Sequence, residues 1–169
     1  ILVGTAMGAL QEYAALTRNR KGAMFGESIV EQVPVQGRVG EAAAEIHAAN
    51  LIAEDLCRML HERGAAGQDI RGEDLLSAKR DMTFASRLCL RAAERLSGMM
   101  GVSAQTGRNP VQRHFRDCRT VTTHIELHWD ISMAPTGKYL FGVPTGDPLV
   151  DGLEKPDSVS GKAYLGTRI

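Results

Sequence analysis

His124 and His128 stand four residues apart with Glu126 between them. On one helix that spacing would put both imidazoles on the same face, where they could hold a metal ion or move protons near neutral pH. The order His-Ile-Glu-Leu-His is not the HExxH of zinc hydrolases, however, and Glu126 would turn to roughly the opposite side. Two histidines in structural roles are therefore a better reading of the pair than a metal site. Arg18 and Arg20 form a second group. They close a helical stretch, where cations meet the negative end of the helix dipole, and their guanidinium forks suit a phosphate as well as solvent. Arg113, Arg116 and Asp117 form a third, in which Arg113 and Asp117 are spaced for an intrahelical ion pair. Between the second and third groups lies Gly98-Met-Met-Gly-Val-Ser-Ala-Gln-Thr-Gly107. Its glycines let backbone approach a ligand closely, although a plain inter-helix connection would look similar.

No GxSxG elbow, phosphate loop or GxGxxG turn occurs, which sets aside the common hydrolase, nucleotidase and Rossmann readings. Lysine and arginine number 20, as do aspartate and glutamate, so charge gives no reason to expect nucleic acid or an anionic membrane as a partner. Cys57, Cys89 and Cys118 sit in helical patterns without ligand spacing, and an odd number cannot all pair internally. Reduced thiols in a cytoplasmic protein are the expectation. No apolar run is long enough to span a bilayer, and the first segment lacks a basic start and cleavage site, so a soluble protein is expected.

The candidate residues need elements to position them. Val39, Ala42, Ile46, Ala49, Ala53, Leu56 and Leu60 alternate steps of three and four, the spacing of one helix face. Leu75, Ala78, Met82, Ala85, Cys89, Ala92, Leu96 and Met99 repeat it, and the short polar connection Arg63 to Glu73 makes the two helices antiparallel neighbours. A third helix is predicted from Asn109-Pro110, with asparagine as cap, proline in the first turn and Gln112 to complete a capping box. It should run to about Met133, because Pro135 disfavours the α conformation at Ala134. With an opening helix from Val3 to about Arg20, the pattern predicts an all-α, four-helix bundle over residues 1–142. Residues 143–169, rich in proline and glycine and without a period, read as an extended tail. Residues 1–15 read as a helix already under way, without methionine or N-cap, so the chain is expected to be part of a longer protein.

Three stretches together resemble the C-terminal helical domain of the acyl-CoA dehydrogenase superfamily. Gly8-Ala-Leu-Gln-Glu-Tyr-Ala14 through Arg20, then Phe25-Gly26 and Val35-Gln36, is similar to the family's first helix and following loop. Gly98 to Ser103 is similar to its flavin-facing turn, and Asn109-Pro-Val-Gln-Arg-His-Phe-Arg-Asp117 to its Arg-Asp helix. In true dehydrogenases a Tyr-Glu-Gly-Thr stretch carrying the catalytic glutamate often follows that helix; here His124 and Ile125 occupy the Tyr and Glu positions. A histidine in that place instead resembles the two-component flavin monooxygenases that act on aromatic compounds.

The resemblance implies the oxygenase component of such an enzyme, hydroxylating or oxidising an aromatic or polycyclic substrate with O2 through a flavin C4a-hydroperoxide. It implies reduced flavin as cofactor, FMN ahead of FAD, a separate flavin reductase that supplies it, and a homo-tetramer. By the same resemblance the turn at Val102 and Ser103 approaches the flavin, His124 and Ile125 form the far wall, and Arg18 or Arg20 meets its phosphate or ring edge. His124 is the implied catalytic residue, since imidazole suits a base for the substrate hydroxyl. Two alternatives stay open: an acyl-CoA dehydrogenase-like enzyme using a displaced Glu126, and a non-catalytic helical oligomerisation domain.

Overall fold

The computed structural model describes residues 1–24, 26–70 and 72–151, without the side chains of Ser103, Pro148 and Leu149. Among the described residues every regular element is helical, as predicted. The helices are α1 (Leu2–Thr17), α2 (Val33–Ala65), α3 (Gly72–Met99), α4 (Pro110–Val121), α5 (Trp129–Leu140) and α6 (Pro148–Asp151), with short 3-10 turns at Ile29–Glu31, Val102–Ala104 and Ile125–Leu127. The chain divides into two units, Ile1–Glu54 with Phe84–His124, and Asp55–Thr83 with the residues from Ile125 onward.

In the first unit four helical segments share a core: Ala6, Ala9 and Tyr13 of α1; Ala42, Ile46 and Ala49 of α2; Ala85, Cys89, Ala92 and Leu96 of α3; and Val111 and Cys118 of α4. Small side chains dominate, so the helix backbones approach closely. At Gly8 of α1 an added Cβ would lie 2.9 Å from the His114 imidazole of α4, and glycine is what lets the two helices meet there. Burial raises the thiols of Cys89 and Cys118 to about 12 and about 11, each helped by a nearby group, Cys118 and Asp117 respectively. Such thiols stay protonated and behave as core packing. Across α2 and α3, buried Glu45 accepts hydrogen bonds from Arg91, whose Nε donates at 2.8 Å, and from Arg95, while Arg95 also reaches Glu41 at 2.8 Å.

The second unit is smaller. Leu76 of α3, Tyr139 of α5 and Val150 of α6 form its buried cluster, and the Tyr139 hydroxyl donates to Glu73. Lys79 pairs with Asp147 at 2.8 Å, and Asp151 accepts from Thr145 N and Oγ1, both at 2.7 Å, and from Gly146 N at 2.8 Å. Part of the segment read as an extended tail is thus a tethered turn and a short helix; residues 152–169 lie outside the described residues.

Two expectations about helices are corrected. The third predicted helix is two, broken after Val121. Thr120, Thr122 and Thr123 turn their hydroxyls back onto the carbonyls of Arg116, Arg119 and Thr120, a local bonding that competes with the helical ladder, and the run is β-branched besides. Helix resumes at Trp129 and continues through Pro135 instead of stopping before it. Buried Ser132, Thr136 and Tyr139 hold α5 on both sides of the proline, so tertiary packing outweighs the lost N–H and the strain at Ala134. The capping box is also half formed. Asn109 Oδ1 accepts from Gln112 N at 3.1 Å, but the Asn109 N–H goes to Thr106 O and not to the Gln112 side chain.

Candidate functional site

The opening helix ends earlier than predicted, at Thr17, with Arg18 as its C-cap. That end separates the two arginines. Arg20 already belongs to the loop that follows: its N–H bonds to Thr17 O at 2.9 Å, and its carbonyl accepts from Ile29 N at 3.1 Å. The bridge between Lys21 and Ser28 closes the loop like a short hairpin. The Arg20 guanidinium is thereby carried to the turn after α3, where Nη2 lies 3.2 Å from the position a Cβ would take on Gly101. Nη1 is buried and has no hydrogen-bond partner among the described residues. A buried, uncompensated cationic donor is costly, so its environment favours an acceptor arriving from outside the chain.

Gly101 has φ of 79°, in the left-handed region that glycine enters without strain, and any side chain there would press on Arg20. The 3-10 turn Val102–Ala104 follows. Val102 is 90% exposed, whereas Ala104 packs against the core of the first unit. The structure therefore brings Arg20 and the turn of Val102 and Ser103 together.

Arg18 faces a different feature, a cleft of about 570 Å³ whose lining includes Tyr13, Thr17, Val35, Gln36 and Val39. Its walls are chiefly apolar. Thr17 is 98% removed from solvent by its 2% exposure, and its hydroxyl has no partner among the described residues. The Gln36 amide donates to Val30 O at 2.9 Å, and the Tyr13 hydroxyl to the Met99 sulfur at 3.8 Å. Such a cleft suits a flat, mostly apolar group carrying an anionic end for the guanidinium. Thr17 was not singled out in the sequence, although a polar residue four after Tyr13 on the buried face was its signal.

His124 and His128 do not share a helix, contrary to expectation. His124 is exposed in the turn after α4, where its N–H bonds to Val121 O at 3.1 Å, and His128 is the N-cap of α5. Ile125, 59% exposed, opens the 3-10 turn of the second unit. That turn is held by the Glu126 carbonyl, which accepts from Ser132 Oγ at 2.9 Å and Thr83 Oγ1 at 3.4 Å. His124 and Ile125 are thus chain neighbours on either side of the unit boundary and not two side chains of one helix face. Glu126, the displaced base of the acyl-CoA dehydrogenase-like alternative, lies in the same 3-10 turn, outside both α-helices.

Comparison with known proteins gives a consistent answer. The family described as acyl-CoA dehydrogenase, C-terminal domain, matches residues 1–129. The FADH(2)-dependent resorcinol hydroxylase, oxygenase component, of Rhizobium sp. (strain MTP-10005) is 32% identical over 149 residues, covering 83% of this chain and 36% of the relative. The oxygenase subunit HsaA of a flavin-dependent monooxygenase from Mycobacterium tuberculosis is 30% identical over 88% of this chain and 38% of its own. The crystal structure of that HsaA superposes with a TM-score of 0.75 at 27% identity, covering 88% of this chain and 38% of HsaA. XiaF from Streptomyces, at 21% identity, shares the fold with a TM-score of 0.80 and the same coverage. The chain spans a little over a third of the length of these relatives, 36 to 38%. With the match covering most of its length, the chain belongs to the acyl-CoA dehydrogenase C-terminal domain family.

Proposed function

We propose that this chain is the C-terminal, flavin-contacting part of the oxygenase component of a two-component flavin-dependent monooxygenase. The observation that carries the reading is the buried, unpartnered Nη1 of Arg20 beside the Gly101 turn. A flavin phosphate or an electron-rich ring edge is the acceptor that such a donor fits. Reduced flavin, when bound, supplies the electrons by which O2 gives one oxygen atom to an aromatic substrate and the other to water. The residues of this chain bind, wall off and move protons. Arg20 donates to the cofactor, and Val102 and Ser103 bring backbone against it. His124 takes the proton of the substrate hydroxyl, a role in which imidazoles serve as general bases.

The cleft at Arg18 supports FAD as the flavin. It has room for the nucleotide half that FAD has and FMN lacks, and the resorcinol hydroxylase relative carries FADH(2) in its name. FAD is therefore favoured over the FMN that the sequence resemblance put first. A separate reductase, a homo-tetramer and a cytoplasmic location complete the proposal; among the described residues no helix is long and apolar enough to cross a membrane. One relative, the 3-sulfinopropanoyl-CoA desulfinase of Cupriavidus necator, 27% identical over 72% of this chain, supports acyl-CoA chemistry as a second reading.

The test uses the intact oxygenase with reduced flavin, O2 and a panel of phenols and acyl-CoA thioesters. Hydroxylated phenol is expected, and turnover of thioesters alone would sink the reading. His124→Ala should lower hydroxylation about a hundredfold, the usual range for a lost acid or base, while flavin binding changes far less. Hydrogen peroxide released per reduced flavin should rise correspondingly. Full rate and full coupling in His124→Ala would remove the histidine from the chemistry.

A further inference from the structure

The turn that faces the flavin in the proposed site is fastened at both ends. At its start Arg20 lies against Gly101. At its end Gln105 makes two bonds of different kinds. Its main-chain N–H closes the 3-10 turn on Val102 O at 3.1 Å, and its side-chain Nε2 donates to Ser97 O at 2.8 Å. Ser97 lies in the last turn of α3, where carbonyls have no helical N–H left to accept. Its oxygen also takes the Met100 N–H at 3.2 Å. One side chain thus ties the far end of the turn back to the rigid helix from which the turn departs. The loop it closes contains Gly98, Gly101 and, just beyond, Gly107. Glycines leave a free loop many conformations, so a tether here removes more disorder than it would elsewhere.

We infer that Gln105 is a positioning residue for this turn. Its amide is committed to α3, so it acts on the cofactor through the backbone of Val102–Ala104, which it holds in the binding conformation before any ligand arrives. A turn fixed in advance spares the complex the entropy of ordering it. The inference rests on the flavin reading above.

Three variants of the intact enzyme test it, with the dissociation constant of reduced flavin under anaerobic conditions, kcat at saturating flavin, and amide hydrogen exchange at residues 101–105 of the flavin-free protein. Gln105→Ala should raise the dissociation constant about three- to tenfold, the range for one net hydrogen bond. It should also speed exchange in the turn and leave kcat at saturation unchanged. Gln105→Glu turns an acceptor toward the Ser97 carbonyl and should bind worse still. Gln105→Lys restores a donor at a helix C-terminus, where cations are favoured, and should recover most of the affinity. Gln105→Ala with the wild-type dissociation constant overturns the inference alone, whether or not its overall stability falls. A wild-type enzyme that binds no reduced flavin overturns the flavin reading and this inference with it.

Discussion

Arg18 and Arg20 are two positions apart and of one residue type, yet they meet different surroundings because α1 ends at Thr17. Both are legible in the sequence as anion-gripping candidates from their type and their place at a helix end. Which one reaches the turn at Gly101 is not, because the loop that carries Arg20 is registered by the Lys21 to Ser28 bridge, made by residues with no periodic signal. The separation predicts a difference in ligand dependence. Arg20→Ala should weaken reduced FMN and FAD alike, by about tenfold or more for a lost charged hydrogen bond. Arg18→Ala should weaken FAD alone, since the role proposed for the cleft it lines is to take the nucleotide half. Dissociation constants of both flavins for the two variants decide this, and equal losses across all four would erase the division of roles. His124 was singled out by a count from Asp117 that presumes an unbroken helix, and α4 instead ends at Val121.

Long elements are read from periodicity more reliably than their ends. Ala85, Cys89, Ala92 and Leu96 of the predicted α3 stripe are all buried, whereas in the first half of that helix Leu76 and Thr83 are buried and Met82 is 40% exposed. A stripe drawn through apolar residues alone passes over the buried threonine and drifts by one position. The charged contacts between α2 and α3 were equally hidden, because Glu45, Arg91 and Arg95 look like ordinary solvent-facing charges in sequence. Burial alone would raise the Glu45 carboxyl, but hydrogen bonds and charge from Arg95 and Arg91 outweigh it and hold the group below its ordinary value of 4.5. A carboxyl held low in the folded state stabilises the fold above its unfolded value, and the contribution is lost as pH falls through the lower folded value. Glu45→Gln should therefore be less stable at neutral pH by about 2 kcal/mol, from broken charged bonds and arginines left without their partner. The gap to wild type should narrow as pH falls below the ordinary carboxylate value and close only once pH is below the lowered folded value. Urea midpoints across that range check the sign, and a gap that is constant with pH would mean the carboxylate's charge contributes nothing.

At the scale of the whole molecule, a chain that spans 36 to 38% of its relatives' length is expected to hold only part of their flavin site. The groups assigned to flavin here are Arg18, Arg20 and the backbone of the Val102–Ala104 turn, and only the two guanidiniums offer charge-assisted bonds. Each such bond contributes about 1.5 to 3 kcal/mol net. Association itself costs about 4 kcal/mol or more in lost translation and rotation. Two charged bonds and one apolar cleft therefore leave little surplus, and the 169-residue chain should bind reduced FAD with a dissociation constant of about 0.1 mM or weaker. An enzyme of the relatives' full length should bind it at least about a hundredfold more tightly, because the remaining donors and walls are then present and fixed in advance. Anaerobic titration of both proteins under one set of conditions measures the difference. If the 169-residue chain bound reduced FAD as tightly as the full-length enzyme, the whole site would lie within these residues, and neither the longer chain nor a neighbouring subunit would be needed to complete it.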